Sequence, residues 1–214
     1  MQKVYFISGL GADKRIFDFL DLRFCEPVFL NWLTPGNDDT LPSYAKKMAE
    51  NIKGSNAIIV GLSFGGMLAT EMAKQHPGWK VILIASAKTK HEVPWFWRAA
   101  RYLPVYKWIP GKWMKVIGKN SNYIFGAFET SQKKIISQII TDTDPQFSKW
   151  AIGSILHWQN ETKPANVLHL HGTADKLLPL KYLKADHVID GGTHLMLIDK
   201  APEISVLLRR LIET

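Results

Sequence analysis

Three side chains in this sequence could share one piece of chemistry, and each follows an apolar run. Ser63 sits in Gly61-Leu62-Ser63-Phe64-Gly65, after Ala57-Ile58-Ile59-Val60. Asp175 closes His171-Gly172-Thr173-Ala174-Asp175, after Asn166-Val167-Leu168-His169-Leu170. His194 closes Asp190-Gly191-Gly192-Thr193-His194, after His187-Val188-Ile189. A serine hydroxyl is a poor nucleophile at neutral pH. It needs a base to take its proton, and the base needs a third group to hold its tautomer. Ser63, His194 and Asp175 together would supply all three. The Gly-x-Ser-x-Gly pattern alone is weak evidence. Its setting adds weight: a β-branched run before it and the helix-like Met67–Gln75 after it. A strand entering a helix through so tight a turn strains the middle residue. Gly61 and Gly65 leave room for it, and Ser63 would stand exposed at a helix N-terminus.

These residues require a frame that brings distant strand ends together. Val4–Ile7 reads as a buried strand ending at Ser8-Gly9-Leu10-Gly11. Asp13–Leu22 looks helical, Pro27–Trp32 reads as a second strand, and Pro42–Ile52 as a helix with Pro42 in its first turn. Ala57–Val60 and Val81–Ala85 give two more continuous apolar strands, and His76-Pro77-Gly78 stops the helix between them. Strands apolar on both faces, alternating with helices, argue a parallel sheet covered on both sides. From Lys88 to Trp158 only helical patterns occur, with Ile135, Ile136, Ile139 and Ile140 on one stripe and Phe147, Trp150, Ala151 and Ile155 on another. Strand character resumes at Val167 and His187. A last helix spans Pro202–Ile212, with Val206, Leu207 and Leu211 expected inward.

The chain of 214 residues fits one domain, and 46% hydrophobic residues suffice for a sizeable core. No run is long and apolar enough for a membrane span, and no secretory signal is evident, so a cytoplasmic location is expected. The single Cys25 excludes an internal disulfide and reads as a small buried hydrophobe. His169 and His171 lie two apart on one strand, but further metal ligands are lacking there. His171 is expected to pack beneath its turn.

The order Ser63, Asp175, His194 matches the α/β-hydrolase family, which the chain resembles in four separated blocks. These are Ser8-Gly9-Leu10-Gly11, the Ser63 turn, His171–Asp175 and Gly191–His194; Asp199-Lys200-Ala201-Pro202-Glu203 is also similar to the family's closing helix. The resemblance covers residues 1–87 and 162–214. It implies an α/β-hydrolase three-layer sandwich with a helical lid insertion over 88–161. The family's first two strands are missing, which reduces the sheet to six parallel strands in the order 2-1-3-4-5-6. It also implies roles: Ser63 as nucleophile, His194 as general base and then acid, Asp175 as its orienting carboxylate, and the backbone N–H groups of Leu10 and Phe64 as the oxyanion hole. Neither metal nor cofactor is implied. The chain departs from the family at Ser8-Gly9, where His-Gly is usual. The expected reaction is acyl-enzyme cleavage of an apolar carboxylic ester or thioester. A catalytically weak ligand-binding protein, or a C–C bond hydrolase or lyase using the same triad, are the alternatives.

The formal charge of +8 is concentrated in one place. Eight cations and the single acid Glu92 lie between Lys88 and Lys119, which accounts for +7. Seven aromatics interleave with them between Trp95 and Trp113. The expected arrangement is a lid whose aromatic face closes an apolar pocket while its cations face water. An acidic acyl-carrier protein or an anionic lipid surface are the partners such a stretch would suit. Nucleic acid is not expected, because the rest of the chain is nearly neutral.

Overall fold

The computed structural model describes residues 1–102 and 129–213. Six strands build one sheet: β1 (Gln2–Ile7), β2 (Cys25–Phe29), β3 (Ile58–Leu62), β4 (Lys80–Ile84), β5 (Val167–Gly172) and β6 (His187–Ile189). Their order is β2-β1-β3-β4-β5-β6, and every pairing is parallel. Alternation along β1 explains why the strands are apolar throughout. Tyr5 and Ile7 join one core with helices α1 (Leu41–Ala49) and α2 (Phe64–Gln75). Val4 and Phe6 join the other, with α6 (Met196–Asp199) and α7 (Ala201–Glu213). A parallel sheet covered on both faces leaves no solvent side on which to place polar residues. Each fully buried side chain such as Met72 or Leu208 contributes about 2 kcal/mol by leaving water.

Several details differ from the sequence reading. Asp13–Leu22 holds only a short 3-10 turn, Lys14–Phe17, capped by the Asp13 carboxylate. The turn closes at Asp18, whose N–H donates to Arg15 O, and further on the Asp21 N–H donates to Ser205 Oγ (3.0 Å). It still buries Ile16 and Phe17, the latter against Phe6 and Phe29. Strand β2 begins two residues early, at the buried Cys25, and ends at Phe29. Pro27 is tolerated because β2 is an edge strand. Beyond it Trp32 turns into an aromatic cluster with Phe64 and Phe147. In α7, Val206 is not inward but 71% exposed. Leu207 is buried as expected, with Ala201, Ile204, Ser205, Leu208 and Ile212, whereas Val206 sits about 200° around the helix from Ile204 and Leu208.

Between β4 and β5 run α3 (Trp95–Ala99), α4 (Thr130–Asp142) and α5 (Pro145–His157). Of the α4 stripe only Ile139 is buried, while Ile135 is exposed. The two ends of this helical stretch are clasped together. Lys90 N donates to Asn160 O (2.7 Å), and Asn160 Nδ2 donates to Lys88 O (2.6 Å). Trp158 Nε1 donates to the buried Glu71 of α2 (2.7 Å). Trp95, Phe96, Trp97 and Tyr102 are exposed, Trp95 to 64%. Tyr106, Trp108, Trp113, Lys107, Lys112, Lys115 and Lys119 lie outside the described residues. The expectation that the cations of this stretch face water fails at its first member: Lys88 is 0% exposed. Among the described residues no helix is long and apolar enough to cross a membrane.

Candidate active site

The turn from β3 to α2 sets the geometry of Ser63. Its backbone sits at φ 51°, ψ −118°, in the left-handed region that side chains disfavour. The surroundings over-determine this conformation. Ser63 N donates to Ile84 O (2.9 Å), and Ser86 Oγ donates to Ser63 O (2.6 Å). The helix then crosses close to the end of β1. A Cβ on Gly65 would come within 2.5 Å of Ile7 O, so only glycine permits this approach. Ser86 is a supporting residue that the sequence reading did not identify. Its only signal was its place after a strand, where small hydroxyl residues are common.

Asp175 and His194 arrive on loops after β5 and β6 that are stitched together. Thr173 N donates to Ile189 O (3.0 Å), Ala174 N to Gly192 O (3.0 Å), and Gly191 N to Thr173 Oγ1 (2.7 Å). A Cβ on Gly172 would strike the Gly192 carbonyl, so the two loops touch through bare backbone. This contact delivers three functional groups into line. Ser63 Oγ lies 2.8 Å from His194 Nε2, and His194 Nδ1 lies 2.7 Å from Asp175 Oδ2. A carboxylate only accepts, so Nδ1 carries the ring proton and Nε2 presents its lone pair to the serine hydroxyl. Asp175 Oδ1 accepts from Leu177 N (2.9 Å) and Leu178 N (2.8 Å), which fixes the carboxylate plane. Burial pushes the Asp175 carboxyl up. The neighbouring His194, its hydrogen bond, and the Leu178 N–H outweigh burial and bring it below the ordinary carboxylate value.

The amide of Phe64 directly follows Ser63, and that of Leu10 lies in the loop after β1. Phe64 is the first residue of α2, where an N–H has no partner within the helix. Among the described residues neither amide donates a hydrogen bond. The loop carrying Leu10 is held at Ala12 O, which accepts from Ser8 Oγ (2.9 Å) and Trp32 Nε1 (3.3 Å). Ser8, where the family usually has histidine, thus organises the loop through its hydroxyl. Among the described residues no group of three or more His, Cys, Asp or Glu side chains could hold a metal ion. Burial pushes the Cys25 thiol up to about 11, so it is not a reactive thiolate. A cavity of about 1000 Å³ opens between α1, α2 and α5, lined by residues such as Leu41, Glu71, Trp150 and Trp158. None of Ser63, Asp175 and His194 lines it.

His171 does pack beneath its turn, and it also approaches the site. Its Nε2 lies 2.7 Å from Leu178 O and 3.3 Å from Asp175 Oδ2, and its Nδ1 is 3.2 Å from His169 Nε2. Burial lowers the basicity of both rings, that of His169 well below the ordinary value. Folded histidines of lowered pKa stay neutral where the unfolded chain protonates, below about pH 6.5. The unfolded state then binds more protons, so stability must fall as pH drops through 6.5. The slope is up to about 1.4 kcal/mol per pH unit for each ring. Asp175, with its depressed value, adds a loss at lower pH, as pH falls from the ordinary carboxylate range through its folded value. Urea unfolding at pH 7.5 and 5.5 measures the histidine contribution. Equal stability at the two values would contradict the neutral buried rings.

No family model matches the chain, and no curated protein matches it. Solved structures do. An esterase from Exiguobacterium antarcticum superposes with a TM-score of 0.78 at 15% identity, covering 100% of this chain and 92% of the esterase. An enol-lactonase from Burkholderia xenovorans gives 0.77 at 12%, covering 100% and 92%. A meta-cleavage product hydrolase from Pseudomonas fluorescens gives 0.70 at 18%, covering 100% and 91%. At such identities the likeness is one of fold, and the fold is that of the α/β-hydrolases.

Proposed function

We propose that this α/β-hydrolase-fold chain is a serine hydrolase that cleaves an apolar carboxylic ester or thioester through an acyl-enzyme. One observation carries the reading: the continuous hydrogen-bonded line Ser63–His194–Asp175, with its serine on a strained turn at a helix N-terminus. Ser63 Oγ attacks the acyl carbon while His194 Nε2 takes its proton. The negative charge that develops on the carbonyl oxygen is received by the N–H groups of Leu10 and Phe64. Such a donor contributes about 3 kcal/mol to transition-state stabilisation. His194 then returns the proton to the leaving group, whose bond to the acyl carbon breaks. A water molecule repeats the sequence on the acyl-enzyme, with His194 first as base and then as acid. Throughout, Asp175 stabilises the imidazolium and holds its orientation.

A fluorophosphonate probe should label Ser63 stoichiometrically, as located by peptide mass spectrometry. Nitrophenyl esters of two to eight carbons should be hydrolysed by the same preparation. A protein that neither reacts with the probe nor cleaves any of the esters is not a serine esterase. The meta-cleavage product hydrolase among the similar structures motivates a second reading, hydrolysis of a carbon–carbon bond. A ring-opened dienoic acid consumed where every ester is inert would select it.

A further inference from the structure

Beyond Asp175, a line of buried polar groups continues into the molecule. Lys88, His169 and His171 are each 0% exposed. Lys88 Nζ lies 3.3 Å from His169 Nδ1, and His169 Nε2 lies 3.2 Å from His171 Nδ1. His171 Nε2 in turn faces Leu178 O and Asp175 Oδ2. Burying an ammonium and two imidazoles in an apolar sheet is costly unless each is hydrogen-bonded. Here each is, and the bonds run from one group to the next without a break.

The chemistry of the two ends fixes the direction of every bond between them. A carbonyl and a carboxylate only accept, so His171 Nε2 carries a proton. In a neutral ring Nδ1 is then an acceptor, so His169 Nε2 must donate to it. His169 Nδ1 is left as an acceptor and faces an ammonium, which only donates. All donors therefore point from Lys88 toward Leu178 O, beside Asp175. Burial favours the neutral form of both rings, in agreement with this assignment. Lys88 is itself fixed. Its Nζ donates to Lys184 O and faces Glu92 Oε1 at 3.7 Å, its N–H donates to Glu92 Oε2, and its carbonyl accepts from Asn160.

We propose that Lys88, His169 and His171 form a buried chain of hydrogen-bond donors that ends on Leu178 O, beside Asp175, and positions Asp175 for His194 through the Leu178 backbone that holds its carboxylate. The proposal rests on the reading of Asp175 as the acid of the site. The three are positioning residues, since none of them faces the reacting atoms. The chain sets a polarised His171 N–H 3.3 Å from Asp175 Oδ2 and an oriented positive charge behind it. Both draw electron density from Asp175 and temper the basicity that it confers on His194. Removing either end should make the carboxylate a stronger partner for the imidazolium that forms during the reaction. The charged and titratable groups that also face the chain are Glu92, Asp186 and Lys163 around Lys88 and His169, and His194 beside His171.

Histidine-selective ¹⁵N spectra of the unmodified protein at pH 7.5 test the direction of the chain without any variant. Both His169 and His171 should appear as neutral Nε2–H tautomers. An imidazolium or an Nδ1–H tautomer at either ring overturns the proposal. Lys88→Met and His171→Phe then test its effect on the site. Each should move the acid limb of kcat/KM for nitrophenyl butyrate upward by about half a pH unit. His171→Gln, which keeps a donor near Leu178 O, should restore the limb toward its original position. Loss of activity through general loosening would lower kcat without moving the limb, and an unmoved limb in folded Lys88→Met and His171→Phe overturns the proposal. If Ser63→Ala proves fully active, the serine-hydrolase reading fails, while the tautomers are still measured independently.

Discussion

Replacing Ser63 by alanine should lower kcat on nitrophenyl esters by roughly 10,000- to 1,000,000-fold and leave the fold intact. The size follows from the role, because without Oγ no covalent intermediate can form. His194 and the two backbone donors would act on water alone. The neutrality toward folding follows from the site. Ser63 Oγ contacts His194 Nε2, a group that water can serve in its place. Alanine and serine carry the same Cβ and therefore the same strain at φ 51°. Ser63→Gly separates the two properties. It should be equally inactive yet more stable than Ser63→Ala by about 1 kcal/mol, since glycine adopts positive φ at no steric cost. Steady-state kinetics and urea unfolding of the two variants give both numbers. Ser63→Ala activity within a hundredfold of the unmodified protein would remove Ser63 from the chemistry.

The parts of this molecule that were legible in the sequence are those written locally. A strand that ends in a glycine-flanked serine announces its own turn, and the three chemical groups each stand at such a strand end. The six-strand order was legible because β-branched runs alternating with helices allow few parallel arrangements, and a resemblance selected one of them. The Asp13–Leu22 segment is less so, because its Asp21 N–H finds its partner in Ser205, a residue of the last helix that no local pattern announces. In α7 the expected inward Leu207 is buried, but the equally apolar Val206 is not, because only packing against the sheet distinguishes them.

Lys88 marks where sequence reading stops. A lysine opening a basic stretch reads as solvated, because an isolated buried ammonium is so unfavourable. What makes its burial tolerable is a set of partners from elsewhere: His169 on β5, the Lys184 carbonyl before β6, and Glu92 in the next turn. Only the spacing of His169 and His171 hinted that one face of β5 was polar. Two imidazoles on one strand suggested a metal site lacking ligands. In the structure the missing partners are a cation and a carboxylate.

Asp175→Asn should lower kcat about 10,000-fold, nearly as much as some direct losses from the triad, although the substitution changes a single atom. Each orientation of the new amide fails. With Oδ1 retained toward Leu177 N and Leu178 N, the NH2 group replaces Oδ2 and confronts the His194 Nδ1–H donor. His194 can relieve the conflict by moving its proton to Nε2. That nitrogen then meets Ser63 as a donor and cannot accept the hydroxyl proton. With the amide reversed, His194 keeps its tautomer, but the NH2 group opposes the Leu177 and Leu178 amides. Burying such unsatisfied donors costs about 1–3 kcal/mol each. The first orientation retains stability and loses activity, and the second does the opposite. Kinetics, urea unfolding and the ¹⁵N shifts of His194 in Asp175→Asn show which is adopted. A variant within tenfold of the original in kcat and unchanged in stability would mean that His194 takes its orientation from another group.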